Sequence, residues 1–260
     1  MLLCLDVGNS QIFGGIYDGE ELQMTFRRTS TSRASSDEFA IFLLAVLREN
    51  NVDPARIRMA AICSVVPDAV HSLRNCFRKY FHFDPFLLQA GVKTGLKVRY
   101  RNPLEVGADK IANAIGAVSR FPGRNVLIVD FGTATTVCAV TKDKEYLGGI
   151  ITLGIHASMT ALESNTARLP AVEIVRPAEI LGRSTVESIQ SGLYFGTLAT
   201  VRSLVSLVTE QYFAGEKPVV LGTGGFASLF HQERLFDEFV PDLPLIGLRR
   251  AVDLWTTISS

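Results

Sequence analysis

An apolar run ending in Asp-x-Gly occurs twice in this chain, with its aspartates, Asp6 and Asp130, 124 positions apart in 260 residues. Residues 2–18 read Leu-Leu-Cys-Leu-Asp-Val-Gly-Asn-Ser-Gln-Ile-Phe-Gly-Gly-Ile-Tyr-Asp. Residues 126–140 read Val-Leu-Ile-Val-Asp-Phe-Gly-Thr-Ala-Thr-Thr-Val-Cys-Ala-Val. Each copy is a strand, a turn of small polar residues and a second strand. A repeat close to half the chain is far too long for a solenoid unit. It predicts two similar α/β lobes, 1–118 and 119–260.

The intervening sequence fits that plan. Ser36-Asp37 is positioned to cap a helix whose apolar face includes Phe39, Phe42, Leu43, Val46 and Leu47. Met59 to Val66 reads as a strand stopped by Pro67, and 68–81 as helical. Gly107 to Phe121 predicts a helix ending before Pro122-Gly123. A helix is expected near 155–165, and 185–213 reads as one long helix of about 40 Å. Val219-Val220-Leu221 is a strand, followed by Gly222-Thr223-Gly224-Gly225 and a further helix.

Composition narrows the classes. Lys+Arg and Asp+Glu both number 26, so the chain lacks the overall basic charge of a nucleic-acid or anionic-membrane binder. The longest uninterrupted apolar run, Ala40 to Leu47, is far short of the roughly 20 residues of a membrane span. The N-terminus lacks the basic and long apolar regions of a signal peptide. Cys4, Cys63, Cys76 and Cys138 form no C-x-x-C pair, and three lie in apolar strand-like runs. They read as small buried hydrophobes in a reducing cytoplasm. The four histidines show no metal-ligand spacing.

The chemistry concentrates at the turns. Glycines after each Asp let the backbone turn sharply and approach a ligand. The N–H and hydroxyl groups that follow are suited to phosphate oxygens, and an Asp at a strand end can bind a cation directly or through water. A single Asp-x-Gly is an ordinary hairpin turn; two copies with matching hydroxyls favour phosphate. Gly222-Thr223-Gly224-Gly225 suits a nucleotide or simply a tight turn. Asp109, at a helix start, is either a dipole-complementing residue or, beside a phosphate site, an acceptor for a substrate hydroxyl proton. Lys110 is either a solvated lysine or a binder of substrate or phosphate charge. The chain has no P-loop motif.

Six motifs occur together: Asp6-Val7-Gly8-Asn9-Ser10, Gly107-Ala108-Asp109, Asp130-Phe131-Gly132-Thr133-Ala134-Thr135-Thr136, Asn165-Thr166-Ala167-Arg168-Leu169-Pro170, Gly182-Arg183-Ser184-Thr185 with Ser191-Gly192, and Thr223-Gly224-Gly225. From residue 2 to about 250 the chain resembles type III pantothenate kinases. The resemblance implies two duplicated ribonuclease-H-like lobes of the acetate and sugar kinase/Hsp70/actin superfamily. It implies ATP-dependent phosphorylation of pantothenate, the first step of coenzyme A synthesis. It also implies Mg²⁺, a monovalent cation (K⁺ or NH₄⁺) and a cytoplasmic homodimer.

By the same resemblance Asp6, Val7, Gly8, Asn9, Ser10, Gln11, Ile12, Phe13 and Thr133 contact ATP. Asp109 accepts the proton, and Asp130 binds the monovalent cation. Tyr100, Gly107, Ala108, Asp109, Lys110 and Thr185 hold pantothenate. Asp6 is expected beside Mg²⁺, through water. The family usually carries Arg where this chain has Lys110, and Pro-Gly where it has Leu153-Gly154. The dimer expectation has a second support in the apolar residues Leu193, Phe195, Leu198, Val201, Leu204, Val205 and Val208 of the long helix; the alternative is that they pack inside their own lobe. The rival functions are a kinase for another small molecule and a non-enzymatic accessory protein connected with transcription. Tyr100 and Thr185 speak against the first, and the three aspartates against the second. No nucleic-acid or membrane partner is expected.

Overall fold

The computed structural model of the chain describes residues 1–30, 34–213 and 216–259. In chain order, strands β1 (Leu2–Val7), β2 (Gln11–Asp18) and β3 (Glu21–Thr29) form a meander, followed by helix α1 (Ser36–Glu49), β4 (Met59–Ser64), α2 (Pro67–Cys76) and β5 (Phe86–Leu88). After β6 (Lys97–Val98) and α3 (Ala108–Arg120) comes a second meander, β7 (Val126–Phe131), β8 (Ala134–Val140) and β9 (Glu145–Leu153). Then follow α4 (Ile155–Ser164), α5 (Thr185–Tyr212), β10 (Val219–Thr223), β11 (Glu238–Phe239) and α6 (Leu243–Ser259).

The repeat in sequence is a repeat in topology. One sheet has the order β3-β2-β1-β4-β5. The other contains β9-β8-β7-β10-β11, with β6 added beyond β9. In each, the first strand of the meander pairs antiparallel with the second and parallel with a later strand. A parallel partner needs a crossover, which α1 supplies in the first sheet and α4–α5 in the second.

Alternation divides the two faces of each first strand. Leu3, Leu5 and Val7 of β1 join Phe39, Leu43 and Leu47 of α1 in one buried core, leaving Asp6 on the other face. Leu127, Val129 and Phe131 of β7 join Leu193, Tyr194 and Leu198 of α5, leaving Asp130 opposite.

The chain forms two compact units: Met1–Leu96 with Tyr100–Arg120 and Leu243–Ser260, and Lys97–Arg99 with Phe121–Asp242. This differs from a division into 1–118 and 119–260 chiefly at the C-terminus, where α6 packs on α3 of the first unit. The reason is local. A Cβ on Gly247 would lie 1.8 Å from the Ala112 carbonyl oxygen, and one on Gly116 would lie 2.6 Å from that of Leu243, so bare glycine backbone makes the contact. Leu245 reaches into the space left by Gly15, whose Cβ would lie 2.7 Å from its Cδ1.

Other expectations shift by small steps. The α1 cap is Ser35 rather than Ser36: its hydroxyl accepts the Glu38 N–H, and Glu38 returns a bond to the Ser35 N–H, a reciprocal capping box. Residues 77–81 continue α2 as a π-helical turn. The segment after Gly225 is a 3₁₀ helix, Ala227–Glu233, not an α-helix. By length and composition α5 passes for a membrane-crossing helix. Its Ile189, Leu193, Tyr194, Leu198 and Val201 are nevertheless buried in the core of its own unit, with Phe195, Leu204, Val205 and Val208 packed against it. Three residues of the apolar stripe, Leu193, Leu198 and Val201, are thus buried within one lobe, and the other four are only partly covered by it.

Candidate active site

The predicted site residues fall into two groups, one in each unit. Asp6 to Phe13, Tyr100 and Gly107 to Lys110 belong to the first unit; Asp130, Thr133 and Thr185 belong to the second.

In the first unit, β1 ends in a tight turn. The Gly8 N–H donates to the Gln11 carbonyl at 2.9 Å, and the Ser30 hydroxyl donates to the Gly8 carbonyl at 2.6 Å. Asn9, Ser10 and Gln11 are exposed, while Val7, Ile12 and Phe13 are buried. Val7 and Ile12 point into the core, so only their backbone can meet a ligand. Asp6 is half-buried. Across β1–β4 it pairs with Cys63, whose Sγ donates to Asp6 Oδ1 at 3.3 Å.

The start of α3 comes to the same place. Burial pushes the Cys63 thiol well above its ordinary range, and the negative charges of Asp6 and Asp109 push it further. Both carboxylates therefore act on one neutral thiol. The Gly107-Ala108-Asp109 motif has a steric basis, because a Cβ on Gly107 would lie 2.4 Å from Asp109 Oδ1. The other Asp109 oxygen, Oδ2, takes an ion pair from Lys110 Nζ at 2.9 Å, with both side chains largely buried. Tyr100 is exposed.

In the second unit, Asp130 ends β7 and the Gly132 N–H closes the turn on the Ala134 carbonyl at 3.1 Å. Asp130 pairs with Thr136 on β8 and with Thr223 on β10, so the three side chains share one face of the sheet. Thr136 and Thr223 are 2% and 1% exposed, and neither hydroxyl has a hydrogen-bond partner. Two glycines leave room around Asp130 and its turn. Gly224, at φ +89°, would place a Cβ 2.4 Å from Asp130 Oδ1, and Gly154 would place one 2.2 Å from the Thr133 carbonyl. Thr133 itself is exposed at the turn.

Thr185 opens α5 beside the capping residue Ser184 and lines an open cavity of about 740 Å³ with Arg183, Ser188 and Gly192. Gly182 is required here too, since its Cβ would lie 2.3 Å from the Ser188 nitrogen. The sequence alone reads Cys63 as a buried hydrophobe and Thr136 and Thr223 only as members of their motifs; strand pairing sets each of the three beside an aspartate.

The chain was compared with known proteins. The sequence profile of type III pantothenate kinase matches residues 2–207. A type III pantothenate kinase of Legionella pneumophila is 56% identical over 251 residues, covering 96% of this chain and 98% of that protein. One from Elusimicrobium minutum is 44% identical over 253 residues, covering 97% and 98%. Among solved structures, a Campylobacter jejuni protein assigned to the Baf family of transcriptional activators superposes with a TM-score of 0.59 at 17% identity, covering 96% and 97% of the two chains. The Clostridium difficile activator of 2-hydroxyisocaproyl-CoA dehydratase, with bound ADPNP, superposes with a TM-score of 0.53 at 12% identity, covering 99% and 96%. At these identities the structural likeness is one of fold.

Proposed function

The chain belongs to the type III pantothenate kinase family, and from that premise we propose how its residues divide the reaction. The enzyme transfers a phosphoryl group from ATP to pantothenate in coenzyme A biosynthesis, on the fold of the acetate and sugar kinase/Hsp70/actin superfamily. The observation that supports the division of roles is that Asp6, at the end of β1 with Oδ1 on the Cys63 thiol, and Asp109, at the start of α3 with Oδ1 over Gly107, lie in one unit.

The turn after Asp6 offers N–H groups and exposed polar side chains to the ATP phosphates, with Thr133 as a second ATP contact. Asp109 faces the pantothenate hydroxyl. An alcohol is far too weak an acid to be ionised outright by a carboxylate, so Asp109 first orients the O–H and takes its proton late, as the phosphoryl group arrives. Lys110 fixes the Asp109 carboxylate through Oδ2, leaving Oδ1, over Gly107, as the acceptor. Tyr100, the Gly107–Lys110 segment and Thr185 hold the rest of pantothenate.

Among the described residues no cluster of three His, Cys, Asp or Glu could hold a metal by protein ligands alone. Asp6, at the end of β1, would hold Mg²⁺ through water. The cations supply neutralisation of the charge that develops on the phosphoryl group. Asp130 with the buried Thr136 and Thr223 hydroxyls is an all-oxygen set that fits K⁺ or NH₄⁺. A buried hydroxyl left unbonded costs about 1–3 kcal/mol, and an ion on that sheet face removes the cost. The four buried cysteines, none in a disulfide, support a reducing cytoplasm, and the resemblance supports a homodimer.

The test is ADP release from purified protein with ATP and Mg²⁺, with and without pantothenate, in K⁺ and in Na⁺. Pantothenate-dependent release that rises in K⁺ is expected. Release indifferent to pantothenate overturns the reading, and equal rates in both salts overturn the cation site.

A further inference from the structure

Strand pairing sets four side chains in a row on one face of the first sheet: Cys63 on β4, Asp6 on β1, Phe13 on β2 and Arg27 on β3. The opposite face goes to the core. Arg27 is exposed, and its guanidinium lies over the Phe13 ring, its Cζ 4.0 Å from the ring centroid, with Nη1 3.5 Å from Gln11 Oε1. Both contacts belong to the segment that opens β2, directly after the Gly8–Ser10 turn.

We propose that Arg27 is a phosphate-binding residue of the ATP site, its guanidinium fork bonding a phosphoryl oxygen seated on the turn after Asp6. The inference rests on reading that turn as the ATP phosphate site.

Three features carry it. First, protein contacts orient the cation while Arg27 stays exposed, so water rather than protein meets most of its donors. Stacking fixes its plane, the Gln11 contact is at the long limit of a hydrogen bond, and among the described residues no carboxylate lies within ion-pair distance. A guanidinium has five N–H donors and keeps its charge at any working pH, so most of the fork is left to receive an anion. Second, burial lowers the Arg27 pKa while the Asp6 charge raises it. The site thus pairs a partly desolvated cation with an acidic neighbour held off by the Phe13 strand, about 10 Å away at two strand spacings. A phosphate at the turn meets the fork on one side and, on the other, a carboxylate that it can approach only through a cation. Third, the bidentate geometry of Arg matches phosphate, which lysine on the same strand would not reproduce.

The test compares wild type, Arg27→Gln and Arg27→Lys. Calorimetry measures ADP and adenosine binding, and steady-state kinetics give KM for ATP and for pantothenate. In Arg27→Gln, ADP affinity should fall about tenfold to a hundredfold. Adenosine affinity, pantothenate KM and melting temperature should stay near wild type. Arg27→Lys should fall between, since it keeps charge and loses the fork. Wild-type binding of ADP with equal binding by Arg27→Gln overturns the role of Arg27 alone. Wild type that binds no ADP overturns the phosphate site and Arg27 with it. Equal losses for ADP and adenosine overturn it as well, because they mark a structural role.

Discussion

Replacing Gly247 by Ala tests whether the C-terminal helix positions α3, which carries the proposed proton acceptor Asp109. The new Cβ would stand 1.8 Å from the Ala112 carbonyl oxygen, 2.6 Å from its carbon and 3.1 Å from its Cα. A carbon approaching a carbonyl oxygen needs roughly 3.3 Å, so α6 and α3 must part by about 1.5 Å. Main chain opposes the methyl, and no rotamer relieves it. Overpacking of this kind costs about 1–3 kcal/mol, and a backbone-on-backbone clash belongs at the upper end or above. The better helix propensity of Ala returns about 1 kcal/mol. The net expectation is a loss of about 2–3 kcal/mol, read as a lower urea midpoint with unchanged slope. Ala112 sits one turn beyond Ala108 and Asp109, so the same displacement moves the carboxylate. A misplacement near 1 Å costs on the order of 10² in rate. Gly116→Ala, with its nearest oxygen at 2.6 Å, should show the same two effects more weakly. If Gly247→Ala keeps both the wild-type midpoint and kcat, or if Gly116→Ala is the more damaging, the reasoning is wrong.

The other expectations are quickly measured. Asp109→Asn should fold normally, by melting temperature, and lose about 10² to 10⁴ in kcat, as removal of a proton acceptor does; an unchanged kcat removes Asp109 from that role. Thr223→Val deletes an unbonded buried hydroxyl beside Asp130, so in Na⁺ the variant should be about 1 kcal/mol more stable than wild type while needing more K⁺ for half-maximal activity; an unchanged K⁺ requirement separates Thr223 from the cation. Glu233 accepts a bond from the Tyr194 hydroxyl at 2.9 Å and pairs with Arg176 and Arg202 at 3.1 and 3.3 Å, contacts that hold its pKa below the usual carboxylate value. A lowered folded pKa stabilises above the unfolded value near 4.3 and is lost as pH falls through the folded one. Wild type should therefore exceed Glu233→Gln by about 1 kcal/mol at pH 7, after solvent screening, and the gap should close in acid. A gap that widens toward low pH would contradict that sign.

Local chemistry explains which features could be read without coordinates. The Asp-x-Gly turns, the strand endings and the cap near residue 35 each depend on neighbours within four positions, and the two sheets follow from seeing that the turn recurs. The placement of α6 was hidden because Gly116 and Gly247 look in sequence like weak points of helices, whereas in the fold they are the contact. The α5 stripe shows the converse: an apolar face announces burial but not what covers it, and here the lobe's own core buries Leu193, Leu198 and Val201 and only partly covers Phe195, Leu204, Val205 and Val208. The pairings of Cys63 with Asp6 and of Thr136 and Thr223 with Asp130 could not be read because register makes neighbours of residues far apart in the chain, as when Cys63 meets Asp6 across 57 positions.

Yet the side on which to look was written in the alternation. Leu3, Leu5 and Val7, and again Leu127, Val129 and Phe131, commit one face of each strand to a core. The intervening aspartate must then lie on the other face. A residue paired with that aspartate on an adjacent strand shares its face. Register is the one further quantity needed to name the neighbours of each aspartate. In both sheets it brings an uncharged polar side chain to the aspartate's side: the Cys63 thiol on β4, which donates to Asp6, and the Thr223 hydroxyl on β10, unbonded beside Asp130.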